Sequence, residues 1–498
     1  MTFRASVLPL SALVASAFAF AACSDSGSSP VNSQDAGTDA AGDANVAVDA
    51  SPDFDANPAA DAATDGGALD AGGPSTKLVV RALSEAGHDR FYGVAYDAQG
   101  RVLAVGQSCP STATTADCVS VVARFLADGS ADVSFGTAGA AVVNMAVGGN
   151  AEVARGLVVT PDGKIYVSAI AEQAGAADVR ERDVYLARFL DDGRIDTSFG
   201  TAGIATFDLA PGKLVGTTFK TDANWGLARD TQGRLYLSGS CVAAGRDDTD
   251  YAVLRLTATG ARDASFASSG LARVDIANFD ASGRSVVIDA SGRAVMGGYY
   301  TDPATTIVAP VAFRLTPEGI LDATFGNAGV FTQPVLAAAA EIYGMAFQGE
   351  KLVTAGYGRA SASQEFDVVS LRLTGAGTLD ATYGSAGVRV LDVAQQRDQG
   401  RAVATLPDGR VIVVGGTRTT ATEQNALVAV LTPNGERSAV FGTNGVLSLD
   451  LGGNADSLYA VAVAPGGTRA VAVGAVSTAA SDAGVPDDDT AIVFLDLR

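Results

Sequence analysis

Few residues in this 498-residue chain are of a type and spacing that could do chemistry. Histidine occurs once, as His88 in "EAGHDRFYG". One imidazole rules out a multi-histidine metal centre and confines any Ser-His arrangement to one built on His88. Its polar setting ahead of an apolar run reads as an exposed turn. The phosphate-cradling loop and the dinucleotide fingerprint do not occur, nor does an S-x-D-x-G-x-T-W box of the sialidase type. Acidic groups such as Asp247 with Asp248, or Asp487 to Asp489, lie between apolar runs and read as solvated loops. A two-carboxylate glycosidase stays open, because its acids need to meet only in space. Cys109 and Cys118 close the short loop "CPSTATTADC" and are expected to pair in an oxidising compartment, leaving Cys241 in "LSGSC" as a buried thiol. No catalytic set, cofactor or metal-ligand set is expected.

Charge narrows the partners. The net charge is -21, with a pI near 4.4. Nucleic acid and anionic membrane surfaces reward basic patches, so neither is an expected partner. Beyond the N-terminus no apolar run is long enough to cross a bilayer as a helix.

Residues 1–22 read as a targeting signal, with Arg4 as the positive end and an apolar stretch after it. The stretch ends in "FAAC", which resembles the lipobox of bacterial lipoproteins, with Phe20 in place of the usual leucine. The resemblance implies cleavage before Cys23, lipid on Cys23, and a place in the bacterial envelope. Ser24 after the cysteine, rather than Asp, favours the outer membrane or cell surface. From Cys23 to residue 75 the chain is Ala, Asp, Gly, Ser and Pro. Residues 24–75 hold ten Asp, no Lys or Arg, and one aromatic, Phe54. Such a segment buries too little apolar surface to offset its ordering entropy and is expected to be a disordered tether spanning roughly 40 Å. It contains no spaced D-x-D-x-D-G calcium loop.

What remains, 76–498, must supply the positioning elements, and it repeats. "LDATFGNAGV" (321–330) recurs as ADVSFGTAGA, IDTSFGTAGI, RDASFASSGL, LDATYGSAGV and SAVFGTNGV, with its aromatic at Phe135, Phe199, Phe266, Phe325, Tyr383 and Phe441. The period is near 60 residues. Each unit holds four short runs rich in apolar and β-branched residues, for example "NWGLARD", "RLYLSGS", "DYAVLRLT" and "GLARVDI". A tight turn such as "PDG" joins the first two, and the motif joins the last two. Four strands per unit is the signature of a β-propeller, and no segment shows a helical period. The hairpin turn occurs seven times and the motif six. An orphan strand at 76–83 is therefore expected to complete a seventh blade, giving an all-β, seven-bladed ring closed by one N-terminal and three C-terminal strands.

The pattern G-x-x-D-x-x-F-G-x-x-G resembles the delta-60 repeat family of bacterial extracytoplasmic proteins. The resemblance covers nearly all of 76–498. It implies a propeller-like β fold and carries no agreed activity.

Aligned columns show what the motif is for. Glycine stands six residues before and four after the aromatic in all six copies, as turn geometry requires. Arg124, Arg188, Arg255, Arg314 and Arg372 each stand eight residues before Asp132, Asp196, Asp263, Asp322 and Asp380. In the sixth copy both are lost together, to Val430 and Ser438. These read as structural ion pairs within each blade. The loops between second and third strands, by contrast, are all different, and they share a face with the linkers to the next blade. A ligand is expected there, with Arg246, Asp247, Asp248 and Tyr300 as exposed candidates. The functional reading is a monomeric, membrane-anchored binding or scaffold propeller for an unknown protein or glycan, touching the membrane only through its lipid. The alternative is an extracytoplasmic carbohydrate-active enzyme with carboxylates at the channel mouth.

Overall fold

The computed structural model describes residues 75–84, 87–110, 117–145, 152–173, 180–477 and 487–497. The signal segment, Cys23 and the tether up to residue 74 lie outside them, as do parts of the loops 108–118, 169–182 and 476–489. All regular structure among the described residues is β, and none contains a helix long and apolar enough to cross a membrane.

The strands form five four-stranded antiparallel sheets, one nine-stranded sheet and a two-stranded ribbon. Four of the four-stranded sheets run in chain order, as in Ala223–Arg229, Leu235–Val242, Thr249–Leu256 and Leu271–Val274. The fifth joins the two ends of the described chain. Thr76–Arg81 pairs antiparallel with Asp488–Asp496, in the register Thr76 with Leu495 through Arg81 with Thr490.

The nine-stranded sheet departs from one sheet per repeat. It takes in the repeats starting at Ala281 and Ala339. Ala339 pairs parallel with Val308 of the earlier repeat and antiparallel with Arg359 of its own, so one residue bridges both. The ribbon, Lys213–Val215 with Thr218–Lys220, lies inside a linker that carries no strand pattern of its own.

Burial explains the strand compositions. Leu235–Val242 and Thr249–Leu256 are buried at every position, their polar members Ser238, Asp250 and Arg255 included. First strands alternate instead, as in Glu152–Val159, whose side chains point in turn into the sheet packing and away from it. The apolar core is shared between neighbours: Tyr166, Leu186 and Phe207 of one repeat pack in one cluster with Leu235, Leu254 and Leu271 of the next.

Candidate functional site

The five arginine and aspartate columns are close ion pairs. Nε to carboxylate distances are 2.8 Å for Arg124–Asp132, 2.9 Å for Arg188–Asp196, 2.9 Å for Arg255–Asp263, 2.8 Å for Arg314–Asp322 and 2.8 Å for Arg372–Asp380. Each guanidinium also lies 4.4–4.9 Å from the centre of the motif aromatic of its own repeat. It then donates to a backbone carbonyl in the turn of the following repeat, as Arg314 does to Gly375 at 2.6 Å and Arg255 does to Pro317. The pair thus fastens one repeat and links it to the next. The Asp196 carboxyl is held below its ordinary value by the hydrogen bond from Ser198, with Lys164 and Arg188 adding to it against burial. The turn glycines let the repeats close up: a Cβ on Gly260, whose φ is +86°, would stand 2.5 Å from the Phe199 ring. This motif is a clamp.

The four residues expected on a ligand face already have partners in their own loop or in neighbouring linkers. Arg246 reaches Asp248 (2.8 Å), Asp250 and Asp275 (3.1 Å), and Asp247 meets Lys213 at 2.5 Å. Asp248 is largely buried rather than exposed, and its carboxylate pairs with Arg246. Tyr300 leans on Phe279, with ring centres 5.2 Å apart. Cys109 and Cys118 are disulfide-bonded, and Cys241 is buried, its thiol pushed up to about 12 by burial. His88 is half-exposed but not free: its Nδ1 is 2.7 Å from Asp488, which Arg90 also holds. Burial acts to raise Asp488, yet the His88 hydrogen bond and the Arg90 charge prevail and hold it at about 2.

A second column, not anticipated from the sequence, runs through the first strands. Each first strand carries one irregular residue near its start. Tyr92, Arg155, Trp225, Arg284, Arg401 and Tyr459 each sit at the register shift between first and second strands. Tyr343 occupies the break between Ala339–Ala340 and Gly344–Gln348. A bulge re-aims its side chain out of the pleat, and these seven meet. Arg155 lies 5.1 Å from the Tyr92 ring centre and 3.7 Å from that of Trp225. Arg284 lies 3.8 Å from Trp225 and 4.8 Å from Tyr343. Arg401 lies 4.9 Å from Tyr343 and acts electrostatically on Tyr459. Tyr459 then packs on Tyr92 at 5.1 Å, so the three arginines and four aromatics alternate except where these two tyrosines close the circuit.

The residue after each of the seven is Gly, Ser or Ala. The reason is steric: a Cβ on Gly93 would stand 2.6 Å from the Arg155 carbonyl, and one on Gly156 would stand 2.4 Å from Leu227. A large amphipathic residue followed by a tiny one, once per repeat, was the signal available in the sequence.

Of the three circuit arginines, Arg155 is the one whose charge is poorly met, since Tyr343 and other neighbours raise Arg284 and Arg401 against burial. Nε and Nη1 of Arg155 are buried without a hydrogen-bond partner among the described residues, as is Nε of Arg284 and of Arg401. Burial pulls Arg155 down to about 10, and the cations Arg284 and Arg182 act in the same direction. Glu341 is the acid set closest to this charge. Burial pushes it up to about 7, against the pull of Arg284 and a hydrogen bond from Tyr357. Tyr343 and Tyr357 share a hydroxyl contact of 2.9 Å, and Arg284 donates to Tyr299 at 2.8 Å. Stacked aromatics with spare guanidinium donors can hold a planar or phosphoryl anion. A separate cavity of about 370 Å³ lies on the turn side, lined by clamp residues such as Arg314 and Phe325.

Residues 160–199 match a family model described as "Domain of unknown function (DUF5122) beta-propeller". No curated protein matches the chain. Among solved structures, a glucose dehydrogenase is similar at 14% identity, covering 66% of this chain and 93% of that one, with a TM-score of 0.39. Chaetomium thermophilum Sqt1 bound to the N-terminus of ribosomal protein L10 is similar at 14% identity over 78% of this chain and 85% of that one, with a TM-score of 0.37. The alpha-L-arabinofuranosidase ARB93A from Fusarium graminearum is similar at 11% identity over 68% and 91%, also with a TM-score of 0.37. With TM-scores below 0.5, none of these carries a ligand or a reaction over to this chain. The match over 160–199 and the succession of antiparallel four-stranded sheets describe an all-β chain of propeller-type repeats.

Proposed function

We propose that this chain is a lipid-anchored binding propeller whose ligand presents an anionic group, carboxylate or phosphate, to the arginine and aromatic circuit. One observation carries the reading: Arg155, stacked between Tyr92 and Trp225, has two buried donors without a partner. A buried cation left in that state is costly, and an anion from solution meets the need. The circuit lies near the start of the first strands, on the side of the variable loops, where a ligand has access to side chains that differ from repeat to repeat.

The reading takes the sheets as seven blades of a closed ring, with Thr76–Arg81 completing the last. Two observations support it. Tyr459 of the last repeat packs on Tyr92 of the first. The sheet that holds both chain ends shares one apolar cluster with Phe91 and Val121, and another with Ile412 and Val428. The anchor is Cys23, in the outer membrane or at the cell surface, and a Cys23→Ser protein is expected to leave the membrane fraction.

Trp225 is the chain's single tryptophan and lies in the circuit itself. Its fluorescence in the full-length protein should change saturably with galacturonate or inorganic phosphate and stay flat with neutral galactose. Arg155→Met should abolish the change. A flat response to every anion in the wild-type protein would overturn the reading. A second reading, cleavage of an acidic glycan, draws on Glu341, whose carboxyl at about 7 has the protonation a general acid needs. Product release from acidic oligosaccharides that disappears in Glu341→Gln would replace binding with catalysis.

A further inference from the structure

Three aspartates meet where one repeat hands over to the next. Asp183 is in the third strand Arg182–Phe189, Asp208 directly follows the fourth strand Ile204–Phe207, and Asp222 directly precedes the next first strand, Ala223–Arg229. Each offers a carboxylate oxygen, and these oxygens lie within 4.8 Å of one another. Asp183 is 4% exposed and Asp222 1%. The Oδ1 atoms of both are buried with no hydrogen-bond partner among the described residues. Asp208 is exposed, so the cluster opens to solvent.

Among the described residues no Lys or Arg side chain hydrogen-bonds these three carboxylates. The neighbouring Arg262 directs its guanidinium to the backbone carbonyl of Asp208 at 2.8 Å. Two carboxylates buried beside a third, with orphan oxygens, are unfavourable unless a cation joins them.

The other repeats show what the position takes. Asp183, Asp250 and Asp367 each stand five residues before the clamp arginines Arg188, Arg255 and Arg372, while Asp208, Asp275 and Asp392 each stand five after Gly203, Gly270 and Gly387. In the repeat of Asp250 and Asp275 a cation is present: the Arg246 guanidinium bonds both, and Asp248 as well. In the repeat of Asp367 and Asp392 the third carboxylate is Asp398, and all three again lie within 4.8 Å, but both Asp398 oxygens already have partners, the Thr417 hydroxyl at 2.5 Å and the Val393 N–H at 2.6 Å. Among the described residues the Asp183 triad has no counterpart of Arg246.

We propose that Asp183, Asp208 and Asp222 bind a divalent cation of the calcium type. Calcium takes six to eight oxygens in flexible geometry, which suits three carboxylates completed by water. The Gln173 amide, 3.2 Å from Asp183, can turn its oxygen inward as a further ligand. The cation ties a third strand, a fourth strand and a linker together. Asp222 stands three residues before Trp225, so the site braces one member of the circuit. The inference does not depend on what the circuit binds.

The test uses full-length protein stripped with chelator and titrated calorimetrically with calcium, then with magnesium. The expected result is one site that prefers calcium, above any weak background from the acidic tether, with a rise in unfolding temperature. Asp222→Asn should lose that site. Without calcium, Asp222→Asn should unfold at the same temperature or higher, because Asn still accepts the Leu209 N–H bond that Asp222 Oδ2 accepts at 2.6 Å and removes a repelling charge. An aspartate serving only to hold the loop would give no calcium-dependent rise in the wild-type unfolding temperature, which would overturn the proposal. So would the absence of saturable calcium heat up to millimolar concentration, or an unchanged stoichiometry in Asp222→Asn.

Discussion

Each repeat can contribute arginine to two places, and the two differ in how the charge is met. On the turn side, Arg314 has everything it needs: the Asp322 carboxylate at 2.8 Å, the Thr324 hydroxyl at 2.9 Å, the Gly375 carbonyl at 2.6 Å and the Phe325 ring beneath it. The ion pair recurs in five repeats, four of them with the Nε hydrogen bond, while Arg255 Nε lies 2.9 Å from Asp263 outside hydrogen-bond geometry. In the circuit, arginine alternates with aromatic residues, and Arg155 keeps two donors idle. A charge that is fully met serves the fold, and selection for packing alone keeps it uniform. A charge left partly unmet is a cost to the fold, and that asymmetry is what the proposed anion site rests on.

The largest effect expected from breaking this contrast is at the clamp. Arg314→Met leaves Asp322 without its main partner and the Gly375 carbonyl without a donor, and should cost about 3–5 kcal/mol in denaturant unfolding. A loss below about 1 kcal/mol would mean that the clamp is ornamental and the contrast false.

Next is the pH response of Glu341. Its folded carboxyl titrates at about 7, above the ordinary 4.5, so the native state binds more protons than the unfolded chain between those values. Its contribution to stability is therefore present below about pH 4.5 and is lost as pH rises toward 7, to a total of about 3 kcal/mol at most. The difference in unfolding free energy between wild type and Glu341→Gln should grow in favour of the variant across that window. An unchanged difference from pH 4.5 to 7 would show that Glu341 is not held in the circuit as described.

The smallest stability effect sharpens the comparison. Arg155→Met removes a buried charge that has no carboxylate partner, so it should change stability by less than about 1 kcal/mol, in either direction. The same variant should lose the Trp225 response to anions. A loss as large as that of Arg314→Met would place Arg155 among the structural arginines.

Much of the architecture was legible because it rests on local chemistry repeated many times. Turn glycines at positive φ, the aromatic, and Arg and Asp eight residues apart all show up when copies are stacked, and the paired loss at Val430 and Ser438 marks them as partners. The pairing of 76–81 with the C-terminal strand was legible by counting turns against motifs. The circuit was not read, although its column is as regular as the clamp's. Its members are Tyr, Trp and Arg rather than one residue type, so the column shares a geometry but no identity. Asp248 was misjudged because a sequence shows that a loop is acidic but not which of its carboxylates the fold covers and pairs with Arg246.

By itself, then, the sequence determined the strand content, the period, the clamp and the acidic, cysteine-bearing N-terminal segment, each written in spacings of a few residues where local sterics and hydrogen bonding decide. Tertiary structure alone decided that seven bulges about 60 residues apart face one another, that Tyr459 reaches Tyr92 across the length of the chain, and that aspartates from three separate segments share one small volume. The physical reason is that stacking between guanidinium and ring, and repulsion between carboxylates, depend on distances of a few ångströms, which a linear spacing cannot specify until the sheets have packed.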